Sequence, residues 1–438
     1  MGTKSYASLQ LPRHIAKRMW ACKNAQKFLN LSIFSSGGTR TVSTGFRQHI
    51  VHVVPTLGQG GAERVCSQII QRNSSDRHTV IKLFAGHGLF DDDVARASAA
   101  VHCLSLPRNA MAFLLLPFAL VRLLYLLFVE RPTAIVGWLY YGALAASIGR
   151  LLGLPVLWSL HAADFDPKTS FKPTTRTAFR LCRSLSGHLP IFIQYCSDAS
   201  RIQHEKLGFA VDKSVVIENG VDVDQFASAA DERNVAAFGK GEGISIQVST
   251  KLIGCIARLE PQKDHRTLFE ALARLKVAGK DIKLVLAGRD CHQDNPRLRA
   301  LLDEFGLHRE VIPAGVISEI GGLIRLCDAI VLSSCEGEAL PMVLLEALSM
   351  GKPVVATNVG SSSTLVGEFG LVVPPRDAGS LSVAIEQVVW ANPAYRLAAA
   401  DQAPSYIREN YSLDDTVERW RNLITRAVEL TGPLAAGR

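Results

Sequence analysis

From His49 onward, short β-branched runs alternate with stretches of helical spacing. HIVHVV (49–54) comes first, followed by a Gly-rich turn and a helical stretch over 62–71. HTVIKLF (78–84), AIVGWL (134–139) and PVLWSLH (155–161) continue the series, with an Ala-rich helix expected at 142–152. IFIQYCS (191–197) and SVVIENG (214–220) close it. Strands alternating with helices predict parallel βαβ units.

A second series follows a small, polar, Gly-bearing segment at 228–249, which reads as a linker or surface insertion. It runs LIGCIA (252–257), a helix at 264–277, KLVLAG (283–288), a helix at 296–305, VIPAG (311–315), a helix at 318–327 and AIVLSS (329–334). A helix at 340–350, PVVATNVG (353–360), LVVPP (371–375) and a helix at 378–391 complete it. The fold class expected is α/β, with two Rossmann-like doubly wound domains, 49–227 and 250–405, facing a central cleft. Residues 406–438 are expected to form a C-terminal helix, crossing back to the N-terminal domain, and a tail. Ligands in such sheets bind beyond the carboxyl ends of the strands.

Charge changes this picture at one place. The net charge is +8, yet residues 1–48 hold eight Lys or Arg and no acid; the first acid is Glu63. The other 390 residues carry 40 basic and 40 acidic groups, so the body is neutral and no nucleic-acid partner is expected. The 1–48 leader lacks a continuous apolar core and reads poorly as a secretory signal. Tyr6 breaks the myristoylation pattern. A disordered start is the first reading, with a membrane-surface basic segment and a targeting peptide left open. Nine scattered cysteines, none in a Cys-x-x-Cys pair and several in apolar runs, fit reduced core residues and a cytoplasmic location.

MAFLLLPFALVRLLYLLFV (111–129) is long enough to span a bilayer, but Pro117 and Arg122 interrupt it and strand candidates flank it. It is expected to be a buried or membrane-touching helix of the α/β fold, with peripheral contact at the inner face of the cytoplasmic membrane. Anchoring of an integral membrane protein is the competing reading.

Two segments carry the chemistry. In IARLEPQKDHRTL (256–268), Arg258 and Lys263 lie on a loop leaving a strand, with Pro261 between them. Paired cations there can stabilise a nucleoside diphosphate leaving group without a metal; the competing reading is a solvated surface pair. In SSCEGEALPMVLLEALSMGKPVVAT (333–357), Glu338 precedes an almost wholly apolar helix and Glu346 lies within it. A carboxylate in a buried helix is costly unless hydrogen-bonded. A ribose diol would satisfy Glu346, as would a structural salt bridge. The free N–H groups around Ala339, Leu340, Pro341 and Met342 suit phosphate, Pro341 supplying none itself.

These segments resemble family 4 of the glycosyltransferases, which use the two-domain GT-B fold. The resemblance covers about residues 49–425 and rests on Glu338 and Glu346, separated by seven residues, and on the preceding Arg258 and Lys263. It implies that Arg258 and Lys263 hold the diphosphate, Glu346 contacts the ribose, and Glu338 lies near the donor sugar. VVPTLGQGGAERV (53–65) resembles the family's Gly-Gly loop and places Gly60 and Gly61 near the donor phosphates. As a dinucleotide fingerprint it fails, because Glu63 takes the third position and no acid follows the second strand at Leu83, Phe84 or Ala85. His161, in WSLHAADFD (158–166), resembles the N-domain histidine that contacts the reacting sugar or acceptor. VIENGVDVDQF (216–226) resembles the interdomain Asn-Gly-Val-Asp segment, so Asn219 is expected to line the cleft.

Asp164/Asp166 and Asp222/Asp224 imitate a metal-binding Asp-x-Asp motif, but Arg258 and Lys263 already fill the neutralising role. No metal and no cofactor are expected. Asp91–Asp93 reads as a solvated loop. The expected activity is sugar transfer from a nucleotide diphosphate donor to the hydroxyl of a glycan or lipid-linked glycan acceptor. Retention at the anomeric carbon is implied, in cell-surface polysaccharide or lipopolysaccharide synthesis. A sugar-nucleotide epimerase and a catalytically silent GT-B scaffold are the alternatives.

Overall fold

The computed structural model describes residues 48–228 and 249–432, apart from Gln59, Ser98, Ala110, Ser318 and Glu319. The basic leader up to residue 47, most of the 228–249 segment and the last six residues of the tail lie outside the described residues.

Seven parallel strands form the first sheet: β1 (His49–Val54), β2 (Arg77–Phe84), β3 (Ala100–Leu106), β4 (Ala134–Trp138), β5 (Val156–Leu160), β6 (Phe192–Tyr195) and β7 (Ser214–Val216), in the order β3-β2-β1-β4-β5-β6-β7. β1 is buried along its whole length, with Val53 in register with Ile81 on one side and Gly137 on the other. A near-continuous apolar run is what a strand covered on both faces requires. β3 was not among the runs named from the sequence. It is the sheet's edge, half-buried, and His102, Cys103 and Ser105 interrupt its apolar alternation.

The 134–139 run stops one residue early, because Leu139 (φ +57°) already opens the Leu139–Ala146 helix. A 3-10 turn, Ser147–Leu152, completes the stretch expected as one helix. Gly142 is what lets this helix reach the sheet: a Cβ there would stand 2.3 Å from the Val53 carbonyl oxygen. The Asp91–Asp93 stretch is no solvated loop. It opens the Asp91–Arg96 helix, and Asp91 is buried, 2.5 Å from Lys82 Nζ. A buried lysine on β2 needs that counter-ion.

The second sheet has six parallel strands: β8 (Lys251–Ile256), β9 (Ile282–Ala287), β10 (Val311–Gly315), β11 (Ala329–Leu332), β12 (Val354–Thr357) and β13 (Gly370–Val373), in the order β10-β9-β8-β11-β12-β13. The Met342–Ser349 helix behind β11 is buried nearly all round. Pro393–Asn410 packs on it, and the last helix, Leu413–Thr431, leaves this domain to pack on Gly61–Arg72, β4 and β5. Trp420 of that last helix stacks on Trp138 with ring centroids 5.6 Å apart. One apolar core therefore runs from Val54 and Trp138 through Leu345 to Trp420 without a break between the domains.

The Met111–Glu130 helix buries Ala119, Leu123, Leu126 and Leu127. No helix among the described residues is long and apolar enough to cross a membrane. In this one, Pro117 and Arg122 interrupt the apolar sequence and one side is committed to the sheet.

Candidate active site between the two sheets

Strand order reverses between β1 and β4 in the first sheet and between β8 and β11 in the second. Such switch points open a crevice beyond the carboxyl ends of the strands. The two crevices face each other and enclose a cleft of about 610 Å³, a size that suits a small-molecule ligand. All of the expected site residues line it: Gly60, Gly61, His161 and Asn219 from the first domain, and Arg258, Lys263, Glu338, Ala339, Leu340, Pro341, Met342 and Glu346 from the second.

The loop after β8 builds the cationic corner. A 3-10 turn, Pro261–Lys263, ends at Asp264, which has left-handed backbone (φ +45°) and caps the following helix by accepting from the Thr267 N–H. This turn points Lys263 at Glu338. Lys263 Nζ pairs with Glu338 Oε1, and Ser334 Oγ donates to the same oxygen at 2.7 Å. Burial pushes the Glu338 carboxyl up, but Lys263, Ser334 and Arg258 outweigh it and hold it below the ordinary range. Glu338 is therefore ionised. Arg258 Nη1 donates to Glu260 Oε1 at 2.9 Å, and Arg289 shares that oxygen at 2.7 Å. The cation pair is thus held by two different carboxylates.

The start of the Met342–Ser349 helix faces the start of Gly61–Arg72. A Cβ at Gly61 would stand 4.0 Å from Met342 Cγ. Two helix N-termini consequently open onto the same space, each with a partial positive charge. Glu346 lies one turn into the Met342–Ser349 helix and is 1% exposed. Its charged neighbour is Arg64 of the first domain, with Nη1 at 2.7 Å from Oε1. Burial raises the Glu346 carboxyl to about 7, with Arg64 pulling the other way.

His161 follows β5 and is flanked by Trp138, with ring centroids 5.5 Å apart. Gln194 Nε2 donates to the Ile217 carbonyl, so its Oε1 accepts from Ser159 Oγ at 2.6 Å. Ser159 Oγ must then accept from His161 Nε2–H, 2.8 Å away. Nδ1 is left with its lone pair. Burial lowers the imidazole pKa to about 3, so the ring is neutral and Nδ1 is an acceptor.

Arg64 and Glu63 also line the cleft, and nothing in the sequence marks either as a site residue. An Arg and a Glu in the first turn of an amphipathic helix look like solvated charge, and only the facing domain shows otherwise. Glu63 lies in the cleft wall, where burial pushes its carboxyl up against a backbone hydrogen bond and Arg258. Asp164, half of an Asp-x-Asp pair in the sequence, links the two domains. Its side chain accepts from the Gly360 N–H, and its carbonyl accepts from the Gly337 N–H at 3.1 Å. Asp222 accepts from the N–H groups of Asp224 and Gln225, and Asp224 pairs with Arg408 at 2.8 Å.

A Glycosyltransferase Family 4 model matches residues 59–225, and a Glycosyl transferases group 1 model matches residues 250–389. Alpha-D-kanosaminyltransferase of Streptomyces kanamyceticus is 26% identical over 273 residues, 61% of this chain and 69% of that protein. Phosphatidyl-myo-inositol mannosyltransferase of Mycobacterium tuberculosis is 30% identical over 230 residues, 51% of this chain and 56% of that protein. The chain thus spans between about half and about two thirds of these relatives' own length. Among solved structures, HepE of Anabaena, in complex with UDP and glucose, superposes with a TM-score of 0.74 at 20% identity, over 87% of this chain and all of that one. A glycosyltransferase from Rickettsia africae gives 0.68 at 20% identity, over 87% of this chain and 99% of that one. With both sheets, the switch-point cleft and the two family models in agreement, the chain belongs to the family 4 glycosyltransferases and has their GT-B fold.

Proposed function

We propose that this glycosyltransferase takes its sugar from a nucleoside diphosphate bound in the interdomain cleft and transfers it to an acceptor hydroxyl with retention. One observation carries the reading. Two helix N-termini, Arg258 and Lys263 converge on one cavity, whose wall also holds the buried carboxylate of Glu346. Converging positive ends suit a diphosphate whose charge grows as the sugar leaves. A buried carboxylate with few partners suits a ribose diol. The solved relative holding UDP and glucose has the same fold.

In this reading Arg258 and Lys263 neutralise the departing diphosphate, so no metal is required for that task. Glu338, ionised and held by Lys263 and Ser334, orients the sugar. His161 approaches from the first domain as a neutral acceptor for a sugar hydroxyl. The departing phosphate takes the acceptor proton. Ala339 and Leu340, just ahead of Pro341 and Met342, offer N–H groups to phosphate, Gly60 and Gly61 let the first domain close over it, and Asn219 lines the wall. The acceptor is a glycan or lipid-linked glycan of the cell surface.

A thermal-shift screen of nucleoside diphosphate sugars tests this, followed by transfer assays with the best one. The wild type should be stabilised by a nucleoside diphosphate. Arg258→Ala and Glu346→Ala should each bind it at least about tenfold more weakly, the cost of one charge-assisted contact. If no nucleoside diphosphate stabilises the wild type, the reading is wrong. Donor conversion without any acceptor would point to epimerisation.

A further inference from the structure

We infer that the outer face of the Met111–Glu130 helix, with the adjoining Ser147–Leu152 turn, docks the enzyme on an anionic lipid bilayer, lying in the interface without crossing it. Eleven of the twenty large apolar side chains exposed among the described residues lie here, nine on the helix and two on the turn. The other nine never fall two to an element. Leu114 and Phe118 are each 74% exposed, Val121 67%, Phe128 66% and Tyr125 64%. Their three- and four-residue spacing puts them on one stripe. Ala119, Leu123 and Leu127 occupy the opposite side and pack on the sheet. A soluble surface rarely carries an apolar stripe of this length without something to cover it.

Charge selects the occupant. Between Pro107 and Pro155 the chain has four arginines, Arg108, Arg122, Arg131 and Arg150, and one acid, Glu130. Glu130 is already engaged by Arg77 at 2.8 Å and His102 at 3.2 Å. Arg122 stands in the exposed stripe itself, beside Val121. A long arginine stem can lie along acyl chains while its guanidinium reaches headgroup phosphates. An apolar stripe that carries Arg122, in a segment whose one acid is already engaged, matches an anionic membrane surface. The inference goes beyond the donor reading and is independent of it.

The test is co-sedimentation of the full chain with vesicles of phosphatidylcholine alone and of phosphatidylcholine with phosphatidylglycerol, alongside its oligomeric state in solution. The wild type should sediment with the anionic vesicles and about tenfold less with the neutral ones. A Phe118→Glu, Val121→Glu, Phe128→Glu variant should lose sedimentation at least about tenfold. It should keep the wild-type melting temperature, because all three side chains are exposed. A milder Arg122→Glu variant should weaken binding to anionic vesicles alone. Absence of binding by the wild type overturns the inference, as does equal binding by the triple variant. A wild-type dimer that the triple variant splits, without change in vesicle binding, assigns the face to a second copy and also overturns it. None of these readouts depends on a sugar donor, so failure here and failure of the donor reading are separable.

Discussion

Glu346 sits in an otherwise almost wholly apolar helix, and its charged neighbour belongs to the other domain. Burial alone would keep the carboxyl protonated, and Arg64, at 2.7 Å, brings its pKa down only to about 7. A diol hydrogen-bonds best to the ionised form. The sign follows: the protein binds donor through the deprotonated state, so affinity falls as pH drops below 7 and levels off above it. Donor affinity should weaken about tenfold for each pH unit below 7, read by calorimetric titration across pH. Glu346→Gln should flatten that profile. Arg64→Met should shift its midpoint to higher pH, because the remaining cause, burial, raises the carboxyl unopposed by the guanidinium. A purely structural Arg64 would change stability and leave the midpoint alone.

At the scale of elements, the site depends on how closely loops approach one another. Gly360, behind β12, has φ +56°, and a Cβ there would stand 2.0 Å from the Glu338 carbonyl oxygen and 3.0 Å from that of Ala339. The loop therefore braces the backbone that carries Glu338 and starts the Met342–Ser349 helix. Gly360→Ala should cost more than about 2 kcal/mol, combining left-handed strain with the collision. Chemical denaturation would measure it, and donor affinity should fall with it. Gly288 stands in the same relation to the loop carrying Arg258, since its Cβ would meet the Ala257 carbonyl oxygen at 2.1 Å. The strands themselves were readable in outline, because runs buried on both faces are nearly continuous in apolar and β-branched residues, with His52 and Lys82 among the few interruptions. β3 was missed because an edge strand has only one neighbour and tolerates His102 and Ser105. The start of the Leu139–Ala146 helix was missed because Leu139 takes positive φ, which a leucine in an apolar run does not announce.

Across the whole molecule, several contacts bridge the cleft. Asp164 holds the N–H groups of Gly360 and Gly337, Ser170 Oγ donates to Glu336 at 2.8 Å, and Arg64 meets Glu346. Asp164→Ala removes a charge-assisted hydrogen bond between domains and leaves the two cores intact. It should lower kcat about tenfold, the equivalent of about 1.4 kcal/mol, with little change in melting temperature. The Leu413–Thr431 helix acts differently, since Trp420 is packed into the first domain against Trp138, which in turn flanks His161. Trp420→Ala should destabilise the protein by about 3–5 kcal/mol, and denaturation should show it. The sequence by itself determined the α/β class, both doubly wound sheets and the residue types at the site, because strand burial and strand–helix alternation are local properties of the chain. Tertiary structure alone decided that Lys263 and Ser334 share Glu338, that Arg64 answers Glu346, and that the Met111–Glu130 helix turns nine large apolar side chains outward. Each of those outcomes depends on which distant segment lies opposite, and spacing along the chain carries no record of that.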